Sequence, residues 1–147
     1  MQASRNVSRD AAAVFELIAD PGRQPAWDGN ENLASAPAGQ RVRAVGDVFE
    51  MALTGGKVRH NEVVEFREGR LIAWRPFEPG SPPPGHLWRW ELEPVDDHRT
   101  LVTHTYDWSR LTDPNRFERA RNTTPDRLLA SLDRLATLAE GRDPGPG

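Results

Sequence analysis

The chain has 147 residues, a net charge of -3, no cysteine and a hydrophobic fraction of 37%. This length suits one domain that buries about two-thirds of its unfolded surface, so we expect one domain over residues 1–141 and a flexible tail over residues 142–147. The absence of cysteine argues against disulfides and thiolate sites. The scattered positions of lysine and arginine argue against a nucleic-acid partner. No apolar run reaches the ~18 residues of a membrane span. Together these features favour a cytoplasmic location.

The N-terminal part of the chain predicts a short strand followed by an amphipathic helix. The strand covers residues 2–7, Ser8 is the candidate N-cap, and Asp10 is placed favourably in the first helical turn. Asp-Pro-Gly at residues 20–22 ends the helix, and residues 25–29 form a second short helix or a loop. Four apolar residues recur at the spacing of one buried helix face: Ala11, Val14, Phe15 and Ile18.

From Gly46 onward the hydrophobic period becomes that of strands, which predicts an antiparallel meander. The expected strands cover residues 48–53, 57–66, 71–75, 86–93 and 100–108. Gly55 and Gly56 suit the tight hairpin after the first of them. Five prolines in residues 76–85 exclude a central strand there, so we expect an exposed flap at the mouth of a cavity.

The C-terminal part predicts one short helical turn and one long helix. Asp113-Pro114 begins the turn, and Thr124-Pro125-Asp126 gives the long helix its N-cap and first residues. Gly141 fits the position just after the helix. The apolar stripe of the long helix consists of Leu128, Leu132, Leu135, Ala136 and Ala139.

Strand alternation places many aromatic side chains on one face of the sheet. Trp88 and Trp90 share a face that is opposite to Arg89 and Glu91, and the tryptophan face must look inward. The same rule predicts other inward residues on the neighbouring strands: Phe49 or Met51, His60, Glu62, Val64, Phe66, Ile72, Trp74, Val102, His104, Tyr106 and Trp108.

Such a wall is either ordinary core or the lining of a ligand pocket. The long helix offers only leucine and small alanine side chains to these rings, which favours an unfilled space bounded by apolar rings and a few polar groups. We therefore predict a pocket for an apolar or aromatic small molecule. Its predicted lining consists of Trp27, Phe49, Met51, Ile72, Trp74, Trp88, Trp90, Trp108, Leu128 and Leu132.

Three polar residues are candidates for catalysis in this pocket: His104, Tyr106 and His60. His104 is either a core histidine bonded to a backbone carbonyl or a group at the ligand, and this alternative stays open. His86 and His98 are expected at the surface. No metal site and no cofactor are predicted, because the chain lacks H-E-x-x-H spacing, G-x-S-x-G and phosphate-binding glycine loops.

Five stretches that span nearly the whole chain carry a family resemblance: residues 14–21 (VFELIADP), 63–66 (VVEF), 70–74 (RLIAW), 88–94 (WRWELEP) and 103–109 (THTYDWS). With the order strand, helix, helix, meander, long helix, they resemble bacterial SRPBCC or START-like proteins, often labelled polyketide cyclase/dehydrase. The resemblance implies an α+β helix-grip fold, a curved antiparallel sheet wrapped around a long C-terminal helix. It also implies an apolar cavity between sheet and helix, and it carries over no catalytic residue.

The leading hypothesis is a protein that binds an apolar or aromatic molecule and acts as a polyketide cyclase or dehydratase. In that scheme His104 or His60 moves protons and the Tyr106 hydroxyl supports a developing enolate. Two alternatives stay open: a carrier or ligand-responsive module without catalysis, and an interaction domain like those that dock on a chaperone. A homodimer is also left open.

Overall fold

The structure, a computed structural model, describes residues 1–29 and 33–141. Within these residues, seven strands form one antiparallel sheet in the order β1-β7-β6-β5-β4-β3-β2. The strands are β1 Gln2–Val7, β2 Leu33–Ser35, β3 Val48–Leu53, β4 Val58–Arg67, β5 Leu71–Phe77, β6 Leu87–Asp96 and β7 Arg99–Asp107. The helices are α1 Ala11–Ala19, α2 Phe117–Asn122 and α3 Pro125–Ala139, with 3₁₀ segments at Pro21–Ala26 and Pro114–Arg116. The predicted α+β helix-grip fold is confirmed, whereas the predicted tail over 142–147 lies outside the described residues.

The N-cap of helix α1 lies two residues later than predicted. The N-cap is Asp10, whose carboxylate accepts a hydrogen bond from the Ala13 N–H at 3.2 Å. Ser8 does not cap the helix. Its backbone N–H donates to a Glu140 carboxylate oxygen at 2.9 Å. The predicted face is correct, since Ala11, Val14, Phe15 and Ile18 are buried.

Helix α3 covers the inner face of the sheet at its β1 and β7 end and also touches α1. Its predicted stripe is buried throughout. Arg5 of β1 forms an ion pair with Asp133 on the outer side of the helix. Among the described residues, no helix is both long and apolar enough to cross a bilayer.

Proline does not end β5 where the sequence predicted. Pro76 belongs to the strand, opposite Asn61 of β4. Pairing of β5 with β6 stops at Trp74, so Pro76 lies where the strand has a neighbour on one side only and its missing N–H is tolerated. The loop therefore starts two residues later than predicted.

The end of this loop packs tightly against the segment that follows β7. Gly85 has φ +115°, and a Cβ there would lie 2.0 Å from the Arg110 carbonyl oxygen. The Thr112 N–H donates to the Pro84 carbonyl at 3.1 Å. His86, which follows Gly85, is 6% exposed and its ring lies against Tyr106, so the prediction of a surface position for His86 was wrong.

A β-bulge in β4 changes which side chains face inward. Val63 lies opposite Trp74, but the next paired residue, Glu65, lies opposite Ala73, so β4 contains one extra residue. Phe66 and Val63 therefore both pack in the core. Strict alternation counted back from Phe66 predicts that His60, Glu62 and Val64 face inward. The bulge reverses the facing of the residues that precede it, so that His60 and Glu62 face outward.

Candidate ligand cavity

A cavity of about 90 Å³ lies between the inner face of the sheet and the 3₁₀ segment Pro21–Ala26. Two hydrogen bonds to α1 fix the side formed by the 3₁₀ segment and Trp27. The Trp27 indole N–H donates to the Leu17 carbonyl at 2.7 Å, and the Gln24 amide donates to the Ile18 carbonyl at 3.0 Å. The lining consists of Gln24, Trp27, Asp28, Leu33, Met51, Leu53, Arg59, Asn61, Trp74, Pro76, Trp88, Trp90, His104 and Ser131.

The aromatic wall of the cavity is built by cross-strand pairs. Trp74 of β5 lies opposite Trp88 of β6, and Trp90 of β6 lies opposite His104 of β7. The Trp90 and His104 rings are stacked with centroids 3.7 Å apart, and Trp27 meets Trp90 edge-on at 5.0 Å. Residues that face each other in this way share one side of a sheet. The predicted inward face of β6 and β7 is therefore correct.

His104 is held in one protonation state by its surroundings. Its Nδ1 lies 3.1 Å from the Arg89 carbonyl oxygen, which can only accept a hydrogen bond, so Nδ1 carries the proton and Nε2 is the free acceptor. Burial lowers the pKa of His104 to about 3, against the smaller opposing effect of the bond to Arg89. The imidazole is neutral at pH 7.

Two further polar groups on the wall have no hydrogen-bond partner among residues 1–29 and 33–141. Trp90 is 1% exposed, and its indole N–H makes no hydrogen bond within the described residues. Asn61 is 5% exposed, and its side-chain amide likewise bonds to no other described side chain or carbonyl. The cavity thus combines apolar rings with an indole donor, an amide and the imidazole acceptor of His104.

A polar groove of about 430 Å³ adjoins the cavity. Leu53 and Arg59 line both spaces. The groove is also lined by charged and polar residues of the β3–β4 turn, the loop after β5 and the segment around α2: Gly55, Lys57, Glu78, Asp113, Asn115, Arg116 and Arg119.

Sequence comparison assigns the chain to a family. The profile of the family described as polyketide cyclase / dehydrase and lipid transport matches residues 1–140. The chain belongs to this family. An uncharacterized protein of Mycobacterium tuberculosis, Rv0088, is 32% identical over 108 residues, which are 71% of this chain and 46% of that protein. The chain therefore spans about half the length of the curated relatives that it matches.

Solved structures show the same fold. The XoxI protein of Bacillus cereus has a TM-score of 0.66 at 17% identity, covering 95% of this chain and 94% of the other. The di-domain ARO/CYC StfQ from the steffimycin biosynthetic pathway has a TM-score of 0.60 at 22% identity, covering 95% of this chain and 44% of the other. At these identities the likeness concerns the fold of the polyketide cyclase/dehydrase family.

Six of the thirteen predicted site residues line the cavity: Trp27, Met51, Trp74, Trp88, Trp90 and His104. Phe49, Ile72 and Leu132 are instead fully packed in the main core. His60 lies on the outer face, with its Nε2 3.3 Å from Glu50 and its ring against Phe77. The β4 bulge is the reason for this position.

The remaining three predicted residues, Tyr106, Trp108 and Leu128, belong to a second apolar cluster under α2. Tyr106 is on the same face as His104 but two residues further along β7, where Leu111 and Ala120 cover it. Burial raises the pKa of the Tyr106 hydroxyl, against the opposing charges of Arg119, Arg116 and Arg59. None of the three lines the cavity.

Sequence reasoning missed the polar lining, above all Arg59 and Asn61. Both lie on the inner face because they precede the bulge, and Met51 of β3 lies opposite Arg59. The signal was present in the sequence: Arg59, Asn61 and Val63 alternate with His60 and Glu62. Alternation counted back along β4 from Phe66 predicted the wrong residues to face inward.

Proposed function

We propose that this member of the family binds a small, flat, apolar molecule that carries a hydrogen-bond acceptor such as a carbonyl oxygen. The observation that carries the proposal is that Trp90 lines the cavity while its buried indole N–H has no hydrogen-bond partner within the described residues. An unsatisfied buried donor costs about 1 to 3 kcal/mol. A ligand carbonyl in the cavity would satisfy it while its ring packs on the tryptophans.

His104 contributes its ring to the wall against which such a ligand packs, rather than transferring protons. Its stacked ring and its bond to Arg89 fix Nε2 as an acceptor. A pKa of about 3 makes the imidazole a weak base at pH 7, far from the value that favours general base catalysis. Tyr106 and His60 do not line the cavity, which leaves binding as the role that the geometry supports best.

A polyketide cyclase or dehydratase activity is the second candidate. It is supported by the family description and by the presence of a donor, Trp90, and an acceptor, His104, on one wall. Enolisation of a bound ketone would use such a pair. Exchange of the α-protons of a bound ketone with deuterium, measured by NMR, distinguishes this activity from binding alone.

The binding proposal is tested with two ligands of nearly equal shape, acetophenone and α-methylstyrene, which replaces the carbonyl oxygen by a CH₂ group. We expect acetophenone to bind with a Kd of about 10 to 100 µM, followed by tryptophan fluorescence. The hydrocarbon should bind about tenfold more weakly, since it cannot accept the Trp90 hydrogen bond.

Trp90→Phe should remove most of this difference, because it keeps an aromatic ring but deletes the donor. Trp108→Phe is the matched control, since Trp108 lies in the second cluster. Thermal denaturation shows whether each variant is folded. Equal affinity of the two ligands for the wild-type protein would contradict the proposed role of Trp90, and failure of both to bind would contradict the binding function.

A further inference from the structure

Arg59 is a cation on the cavity wall without a counter-ion. It lies on the inner face of β4 opposite Met51 and is half-buried. Across residues 1–29 and 33–141, no carboxylate lies within ion-pair distance of its guanidinium, and no hydrogen bond fixes it. Removing a guanidinium from water is unfavourable unless an anion or acceptor replaces the lost hydration.

The groove beyond Arg59 does not supply that anion. Two carboxylates line it, Glu78 and Asp113, and both are used by Arg116, at 3.5 Å each. Lys57, Arg59 and Arg119 line the same groove and form no ion pair within the described residues. The groove side of the junction of cavity and groove therefore carries uncompensated positive charge.

The effects of this charge reach the neighbouring groups. Burial lowers the pKa of Arg59, and the charges of Arg119 and Arg116 lower it further, against opposing effects of Glu78 and Tyr106. Burial lowers the pKa of His86 to about 4, with further lowering by Arg116, Arg59 and Arg119. A bound anion at the junction would relieve this repulsion.

We propose that the ligand is an aromatic carboxylic acid whose ring occupies the cavity and whose carboxylate binds Arg59 at the opening to the groove. This inference rests on the proposed binding function and names its ligand class. A guanidinium matches a carboxylate with two parallel N–H donors. Asn61, two residues along the same face of β4, adds an amide donor to the same wall.

The size of the cavity supports an extended ligand of this kind. Its volume of about 90 Å³ is below the ~150 Å³ of an apolar cavity that holds benzene. A one-ring molecule therefore extends beyond the cavity, past Leu53 and Arg59, toward the groove that these two residues also line. At that point a carboxylate meets the uncompensated charge, whereas an apolar substituent would leave it buried.

The test compares 3-phenylpropanoate with its neutral analogue 3-phenylpropanamide, using tryptophan fluorescence at low and high salt. We expect the acid to bind about tenfold more tightly to the wild-type protein at low salt, with a smaller preference at high salt. Arg59→Gln should abolish the preference, and Arg119→Gln, at an exposed position, should reduce it about threefold. Arg67→Gln is the matched control, because it removes the same charge from the same strand ~26 Å away.

The outcomes separate the two proposals. If acetophenone binds but the acid and the amide bind equally, or if Arg67→Gln weakens the acid as much as Arg59→Gln does, the carboxylate inference is refuted and the binding function stands. If neither acetophenone nor either phenylpropanoid binds, both proposals fail. If thermal denaturation shows that Arg59→Gln is unfolded, Arg119→Gln still tests the inference. An unchanged preference of Arg119→Gln for the acid over the amide would count against the inference.

Discussion

Replacing His104 by glutamine is expected to change how the stability of the protein depends on pH. His104 is 4% exposed, and burial lowers its pKa from 6.5 to about 3. Its contribution to stability is complete above pH 6.5 and is lost as the pH falls from 6.5 toward 3, because only the unfolded chain takes up the proton in that range. At 1.36 kcal/mol per pH unit, lowering the pH from 7 to 4.5 costs about 2.5 kcal/mol at this residue.

Urea unfolding of both proteins at pH 7 and pH 4.5 measures this contribution. Glutamine does not titrate, and its amide can still donate to the Arg89 carbonyl that His104 contacts. The stability lost between the two pH values should therefore be about 2.5 kcal/mol smaller in His104→Gln than in the wild type, since the carboxylates titrate alike in both. Parallel losses would refute the reasoning, because they would mean that the imidazole takes up a proton in the folded protein.

Two substitutions elsewhere test the packing that holds the cavity in place. Gly85→Ala should lower the free energy of unfolding by more than about 3 kcal/mol, because the added Cβ would lie 2.0 Å from the Arg110 carbonyl oxygen. Gly39→Ala is the control and should cost about 1 kcal/mol, because Gly39 has φ +83° but open space around it. Equal losses of stability in thermal denaturation would contradict this prediction. Trp27→Phe should lower the free energy of unfolding, measured with urea, by about 2 kcal/mol, because it removes the hydrogen bond to the Leu17 carbonyl and leaves a smaller ring. Unchanged stability would show that this hydrogen bond does not hold the cavity wall in place.

The sequence was sufficient for the framework of the fold. The meander, α1 and α3 were predictable because each has a clear hydrophobic period and turn residues at its ends. The inward face of β6 and β7 followed from alternation alone, since Trp88, Trp90 and His104 are in regular register. By contrast, β2 has only three residues, Leu33–Ser35, too few for a periodic signal.

Which inward residues reach the cavity could not be predicted from alternation. The rule assigns a side chain to a face of the sheet but does not say which helix covers it. Tyr106 and His104 share a face, yet Tyr106 is covered by the cluster that includes Ala120 of α2, and His104 lies on the cavity wall. That difference depends on how α2 and the Gly85 loop pack, which involves contacts distant in sequence.

The β4 bulge had the largest effect on the chemistry of the site. With regular pairing, His60 and Glu62 would face inward and give the cavity an imidazole beside a carboxylate. The extra residue between Val63 and Glu65 turns both outward and brings Arg59 and Asn61 inward instead. The bulge therefore replaces a pair suited to proton transfer by a permanent cation and a neutral amide, which are suited to holding an anionic or carbonyl group in place. The position of one residue in a strand thus decides which side chains of β4 the cavity presents to a ligand.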